Sequence, residues 1–225
     1  PGTTRRGPVT VVAFDLDGTL EDSRNDMVAA VLRARSSLQL PAREPELIRP
    51  HVNRGMDHLY RTCFNEILDP DVAGGADSDG IGTPGWTDSY ERIKGLYERE
   101  YGAHIADQTR LYDGIHNALK VIAGSGHTLA LVTNKPEHLS EQLLEALGIR
   151  GLFSVVIGGD TCGQSKPDPE PLRTAIQRCG GGRALMVGDS RGDVRCAQAA
   201  GVPIIWCAWG YAESVAPLSP NWTAQ

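Results

Sequence analysis

Short apolar runs and longer stretches of helical spacing alternate along most of this chain. Residues 9–14 read V-T-V-V-A-F, a β-branched and nearly all-apolar run. Such a run suits a strand buried on both faces of a parallel sheet. Similar runs recur at 128–132, 154–157, 184–187 and 203–207. Helical patterns lie between them at 115–123, 137–147, 170–178 and 193–200, and Gly148 follows the second as a helix stop. Strand and helix in alternation predict an α/β fold, a Rossmann-like parallel sheet with helices on both faces.

One region breaks the alternation. Residues 21–110 hold helical candidates at 26–40, 54–68 and 87–101 but no strong buried strand. Roughly 90 residues are too many for one crossover, which needs only about a dozen. They predict an all-helical domain inserted after the first strand. Within it, residues 69–85 are rich in Gly and Asp and predict a mobile loop. Their aspartates lack the ligand spacing and terminal Glu of an EF-hand. The expected organisation is a discontinuous core from 8–20 and 111–216, the insertion at 21–110, and loosely ordered tails at 1–7 and 217–225.

Composition narrows the partners. The 225 residues are 40% hydrophobic, enough for a core, and only 6% aromatic, so that core is aliphatic. A net charge of -6 argues against nucleic acid, which calls for a basic surface. The five cysteines are odd in number and form no C-x-x-C pair. A disulfide framework or zinc site is not expected, and a reducing cytoplasm fits. No apolar run approaches the ~20 residues that span a bilayer, and residues 1–8 lack a signal-peptide core. A cytoplasmic protein without membrane partners is expected.

Four strand ends carry candidate chemistry. In Asp15-Leu16-Asp17-Gly18-Thr19-Leu20, two carboxylates two residues apart would point the same way from extended backbone. Like charges so close need a cation, a shared proton or solvent. An Asp-Gly turn that merely ends a strand would read the same way. After the second run, Thr133 and Asn134 stand before a helix, where they could hold a phosphoryl group or simply cap the helix. Lys166 lies in the proline-framed Ser165-Lys166-Pro167-Asp168-Pro169, which fixes an ammonium unless the side chain is merely solvated. In Gly188-Asp189-Ser190-Arg191-Gly192-Asp193, Asp189 would sit beside the first carboxylates, while Asp193 is also a candidate helix N-cap.

Taken together and in this order, the four motifs resemble those of the haloacid dehalogenase-like superfamily, specifically its phosphatases. The resemblance runs from about residue 9 to 213. The stretches Asp22-Ser23, Leu131-Val132-Thr133-Asn134-Lys135-Pro136 and Lys166-Pro167-Asp168-Pro169-Glu170-Pro171-Leu172 look most like phosphoglycolate phosphatase-like members. The insertion resembles that superfamily's cap. Two departures concern the substrate. Glu21 replaces a usual aliphatic residue and adds a charge near the site entrance, and Val52-Asn53-Arg54-Gly55 only partly matches a Gly-x-Gly cap segment.

The resemblance implies roles. Asp15 would be the nucleophile that forms an aspartyl-phosphate, and Asp17 the acid and then the base. Mg2+ would be held by Asp15, the Asp17 backbone carbonyl and Asp189. Thr133, Asn134 and Lys166 would hold the phosphoryl oxygens, with Lys166 also offsetting developing charge. Thr19 and Asp193 would support the site, Asp193 by a water or by orienting Lys166. Glu21 and Arg54 are the candidates for substrate choice, and Arg54 serves equally well as a solvated cap arginine. The cap would open and close on hinges near 21–24 and 111–114.

The expected partner is a small phosphorylated metabolite, and the expected assembly a monomer or homodimer. A phosphosugar mutase, pyrophosphatase or nucleotidase on the same fold stays open, although Thr19 speaks against the mutase. Asp17 speaks against a dehalogenase. Lys94, the one lysine in 21–110, lies in an unremarkable Ile93-Lys94-Gly95 context for a phosphonate hydrolase. A non-catalytic receiver-like module lacks both the insertion and the Asp-x-Asp-Gly-Thr order.

Overall fold

A computed structural model describes residues 10–69 and 86–225. The chain divides into two compact units, Pro1–Asp22 with Arg110–Gln225, and Ser23–Thr109. Most of the expected 69–85 loop, and the 1–7 tail, lie outside the described residues.

The first unit is built on a six-stranded parallel sheet. It comprises β1 (Thr10–Phe14), β4 (Thr128–Val132), β5 (Phe153–Ile157), β6 (Arg183–Gly188), β7 (Ile204–Cys207) and β8 (Trp222–Ala224). Their spatial order is β5-β4-β1-β6-β7-β8, with parallel pairing throughout. β1 is central because it is apolar on both faces. Val11 and Ala13 pack with Leu172, Ala175 and Val194 from helices α8 (Glu170–Arg178) and α9 (Arg191–Ala200). The period of two sends Val12 and Phe14 to the opposite face, where the Phe14 ring meets Phe153 edge-on at 6.3 Å. Helices α6 (Ile115–Gly124) and α7 (Glu137–Ala146) bury Leu119, Leu139 and Leu143. The five apolar runs thus become strands, to within a residue of their predicted ends. Gly148 follows α7 at φ +71, as expected of a helix stop.

Three short strands escape the hydrophobic pattern. Trp222–Ala224 is a sixth strand where the pattern predicts a loose tail. It is too short for periodicity and is recruited by the β7 edge. The Asn221 side chain accepts from Ile204 N, and Asn221 N donates to Ile204 O. A small antiparallel ribbon pairs β2 (Glu21–Asp22) with β3 (Arg110–Leu111), at the ends of the two core segments.

The second unit is helical: α1 (Arg24–Ser37), α2 (Pro45–Ile48), α3 (Met56–Cys63), α4 (Asn65–Leu68) and α5 (Trp86–Gly102). The expected helix over 54–68 is broken at Phe64, whose φ of -134 leaves the helical region. Two polar devices knit this unit. The buried Asp26 carboxylate accepts from Gln108 N, Thr109 N and Thr109 Oγ1, tying the start of α1 to residues far along the chain. Arg35, 1% exposed, forks onto both Glu66 oxygens at 2.8 and 3.1 Å and also donates to the Pro41 and Cys63 carbonyls. A buried guanidinium needs that full set of acceptors. All five cysteines are free thiols.

Candidate active site

The candidate residues of the first unit gather where β1, β4 and β6 end. Parallel strands in register carry the loops after them to one edge, where α/β sheets bind ligands. Asp15 directly follows β1, and its N–H still donates to Val187 O of β6 at 2.9 Å. Leu16 is fully buried, so Asp15 and Asp17 emerge on the same side of the chain. Gly18 then turns sharply at φ +83, a region that favours glycine, and any Cβ there would collide with Asp189.

Three carboxylates crowd together. Oxygens of Asp15, Asp189 and Asp193 lie within 4.8 Å of one another, and all three residues are buried. Lys166 Nζ stands 2.7 Å from Asp15 Oδ1 and 2.6 Å from Asp193 Oδ1, and donates to Val132 O at 2.8 Å. Among the described residues, one ammonium thus faces three carboxylates, which repel one another when ionised. The electrostatics follow. Burial first, and then the charge of Asp193, push the Asp15 carboxyl up, with Lys166 opposing. Burial and Asp193 likewise raise Asp189, against hydrogen bonds from Tyr211 N and Thr19. Burial pulls Lys166 down, but Asp15 and Asp193 outweigh it and hold the ammonium firmly protonated.

Asp193 is not the N-cap of α9. Ser190 takes that place, its Oγ accepting from Asp193 N at 3.1 Å, and Asp193 Oδ2 accepts from Ser190 N and Oγ. This capping box spends one Asp193 oxygen on the helix and turns the other toward Lys166. Thr19 Oγ1 donates to Asp189 Oδ1 at 3.0 Å. Thr133, 2% exposed, is anchored through its N–H to Ile157 O. The Asn134 side chain is engaged elsewhere: Nδ2 donates to Lys166 O, and Oδ1 accepts from Lys166 N, each at 2.9 Å. Its amide thereby joins the loop after β4 to the loop that carries Lys166.

Glu21 differs most from its expected place at a site entrance. It is fully buried, and neither carboxylate oxygen has a hydrogen-bond partner. Burial first, and then the charge of Asp17, lift its carboxyl well above the ordinary range, with Lys135 opposing. Such a shift favours the protonated form. Arg54 belongs to the helical unit, where it is exposed.

The hydrophobic pattern gives no sign of two further parts of this site. Lys135 Nζ pairs with Asp17 Oδ1 at 2.6 Å, although 118 residues separate them. The segment after β7 wraps Asp189. Tyr211 N donates to Asp189 Oδ2 at 2.7 Å, Trp206 Nε1 donates to Asp189 O at 2.6 Å, and Gly210 packs against the Asp189 side chain. Trp209 Nε1 donates to Thr19 O, and Tyr211 Oη donates to Asp22 Oδ1. The available signals were a lysine next to Thr133-Asn134 and the Trp-Gly-Tyr that follows a strand end.

Comparison with known proteins identifies the family. A family model described as haloacid dehalogenase-like hydrolase matches residues 12–207. A phosphoglycolate phosphatase of Chromobacterium violaceum is 36% identical over 208 residues, covering 92% of this chain and 88% of its own. The phosphoglycolate phosphatase of Escherichia coli K12 is also 36% identical over 208 residues, covering 89% and 81%. The crystal structure of a predicted phosphoglycolate phosphatase from Haemophilus somnus superposes with a TM-score of 0.80 at 27% identity, covering 98% of this chain and 95% of that one. With its sheet order, its four strand-end motifs and this family match, the chain belongs to the haloacid dehalogenase-like hydrolases and is an enzyme of their phosphatase branch.

Proposed function

We propose that this enzyme hydrolyses a small phosphate monoester through an aspartyl-phosphate on Asp15, with Mg2+ as its metal and phosphoglycolate as the first substrate to test. The observation that carries the reading is the buried acid cluster on Lys166, with Asp17 two residues from Asp15. The substrate suggestion rests on the two curated phosphoglycolate phosphatases at 36% identity.

The donor set fits a hard divalent cation. The available donors are oxygens, with three buried carboxylates within reach of one another. Asp15, Asp189 and the Asp17 carbonyl would hold the ion, while Asp193 stays committed to Lys166 and Ser190. Bound there, Mg2+ supplies positive charge that keeps Asp15 ionised and offsets the phosphoryl oxygens.

The chain's own groups then account for both steps. An Asp15 oxygen attacks phosphorus as the ester P–O bond breaks, and Asp17 passes its proton to the departing oxygen. Water then gives a proton to Asp17 and attacks phosphorus, the bond to Asp15 breaks, and inorganic phosphate leaves. Lys166 and the loop at Thr133 hold the phosphoryl oxygens in both steps. Asn134 contributes by fixing the Lys166 loop, since its side chain is spent there.

Phosphate release measured over small phosphate esters with Mg2+, with chelator, and with Asp15→Asn tests the reading. Turnover of phosphoglycolate is expected, with loss in chelator and in the variant. Undiminished hydrolysis by Asp15→Asn would exclude it as the nucleophile, and turnover confined to other esters would remove the substrate assignment.

A further inference from the structure

The two acids after β1 are each paired with a different lysine. Asp15 meets Lys166 at 2.7 Å, and Asp17 meets Lys135 at 2.6 Å. The Lys135 side chain is only 2% exposed, and that of Asp17 is 19% exposed. This is therefore not a solvated surface pair, whose ammonium would wander.

The backbone under Lys135 is held from both sides. Its N–H donates to Thr133 Oγ1 at 3.2 Å, and its carbonyl accepts from Gly159 N at 2.8 Å. Gly159 has no space for a side chain there, because a Cβ would meet the Asn134 carbonyl. Pro136 restricts the residue further. The ammonium is thus delivered to a set position. Asp17 is equally constrained at its backbone, through the Asp17–Glu21 bridge and the hydrogen bond from Gly18 N to Glu21 O at 2.9 Å. Glu21 lies buried beside both groups.

We propose that Lys135 is a positioning residue for proton transfer by Asp17, orienting its carboxyl before substrate arrives. The inference rests on the acid and base roles proposed for Asp17. A proton-transfer carboxyl works only when an oxygen stands within hydrogen-bond reach of the reacting atom. An ammonium on Oδ1 limits rotation of the carboxyl about both side-chain bonds. It donates most strongly to a carboxylate oxygen and can still donate to the carbonyl oxygen of the protonated acid, so one donor faces Asp17 in both steps. Throughout, the proton travels between Asp17 and the leaving oxygen or the water, and Lys135 keeps its own.

Leaving-group dependence tests this. p-Nitrophenolate leaves without needing a proton, whereas an alkoxide needs one. The probes are p-nitrophenyl phosphate and whichever alkyl phosphate the ester screen finds best turned over, with Asp17→Asn as the reference variant. In Lys135→Met, kcat/KM for the alkyl ester, which reports the steps through phosphoryl transfer to Asp15, is expected to fall roughly 100-fold, within the range of lost acid–base catalysis. The aryl ester should lose less than about tenfold in kcat/KM, whereas kcat falls for both esters where the shared water step limits turnover. Equal losses in kcat/KM for both esters would overturn the inference while a discriminating Asp17→Asn leaves the acid assignment standing. An Asp17→Asn variant that lowers kcat/KM equally for both esters removes the acid assignment and the inference with it. Thermal unfolding is followed in parallel. If Lys135→Met fails to melt cooperatively, Lys135→Ala, which likewise removes the donor, is read by the same outcomes.

Discussion

Lys166 Nζ bridges Asp15 and Asp193 at nearly equal distances, 2.7 and 2.6 Å, so one buried ammonium serves two carboxylates from different strand ends. The arrangement suits catalysis more than stability. Asp193 fixes where the ammonium stands, yet it also raises Asp15 and Asp189 by like-charge repulsion.

Asp193→Asn should separate these effects. Asparagine can still accept from Ser190 at the start of α9, and Lys166 keeps Asp15. Breaking a buried ion pair ordinarily costs about 3–5 kcal/mol, but here the variant also relieves carboxylate crowding. The expected result is a metal-free protein whose melting temperature is unchanged or higher, with kcat lowered by roughly 100-fold for want of a fixed Lys166. A drop in melting temperature of the size expected for an ordinary broken pair would show that crowding is not the dominant effect.

The helical unit offers a stability test in acid. Hydrogen bonds from Arg35 hold the Glu66 carboxyl down to about 2, against an ordinary value of 4.5. A depressed folded value stabilises the protein above the unfolded value, and that contribution is lost as pH falls from about 4.5 through about 2. Glu66→Gln should therefore cost on the order of 1–2 kcal/mol at pH 7, a range reduced from that of fully buried pairs because Glu66 is partly solvated. The gap to wild type should narrow as urea denaturation is repeated at successively lower pH below 5. A gap that stays constant with pH would mean that packing, not charge, makes the difference.

Gly210 presses on the Asp189 side chain, and an added Cβ would overlap it. Gly210→Ala should displace Asp189, lower stability by about 1–3 kcal/mol as overpacking does, and weaken activation by Mg2+. Gly151→Ala is the control, because a Cβ there meets nothing within 4 Å and no positive φ is involved. Melting temperatures and Mg2+ titrations of activity for both variants decide the matter. Equal behaviour of the two would remove the assigned role of Gly210.

Much of this protein was legible along the chain. The runs that became β1, β4, β5, β6 and β7 are mostly apolar, as strands of a parallel sheet covered on both faces are, and their alternation with helical patterns gave the fold class. Asp15, Thr133 and Asp189 follow those runs directly, and Asp17 stands two residues further on, so the strands point to the candidate site. Tertiary structure decided what local pattern cannot carry. Asp193 closes a capping box with Ser190 and also meets Lys166, a pairing that local sequence does not reveal. Glu21 reads as an entrance charge, yet its ribbon partner and neighbouring loops bury it beside Asp17. Lys135 reads as one more lysine before a proline, and only the adjacency of β4 to β1 brings it onto Asp17. Periodicity reports which face of an element is buried. Strand order and loop packing decide which charges meet, because an ion pair 118 residues apart leaves no trace in the spacing of either partner.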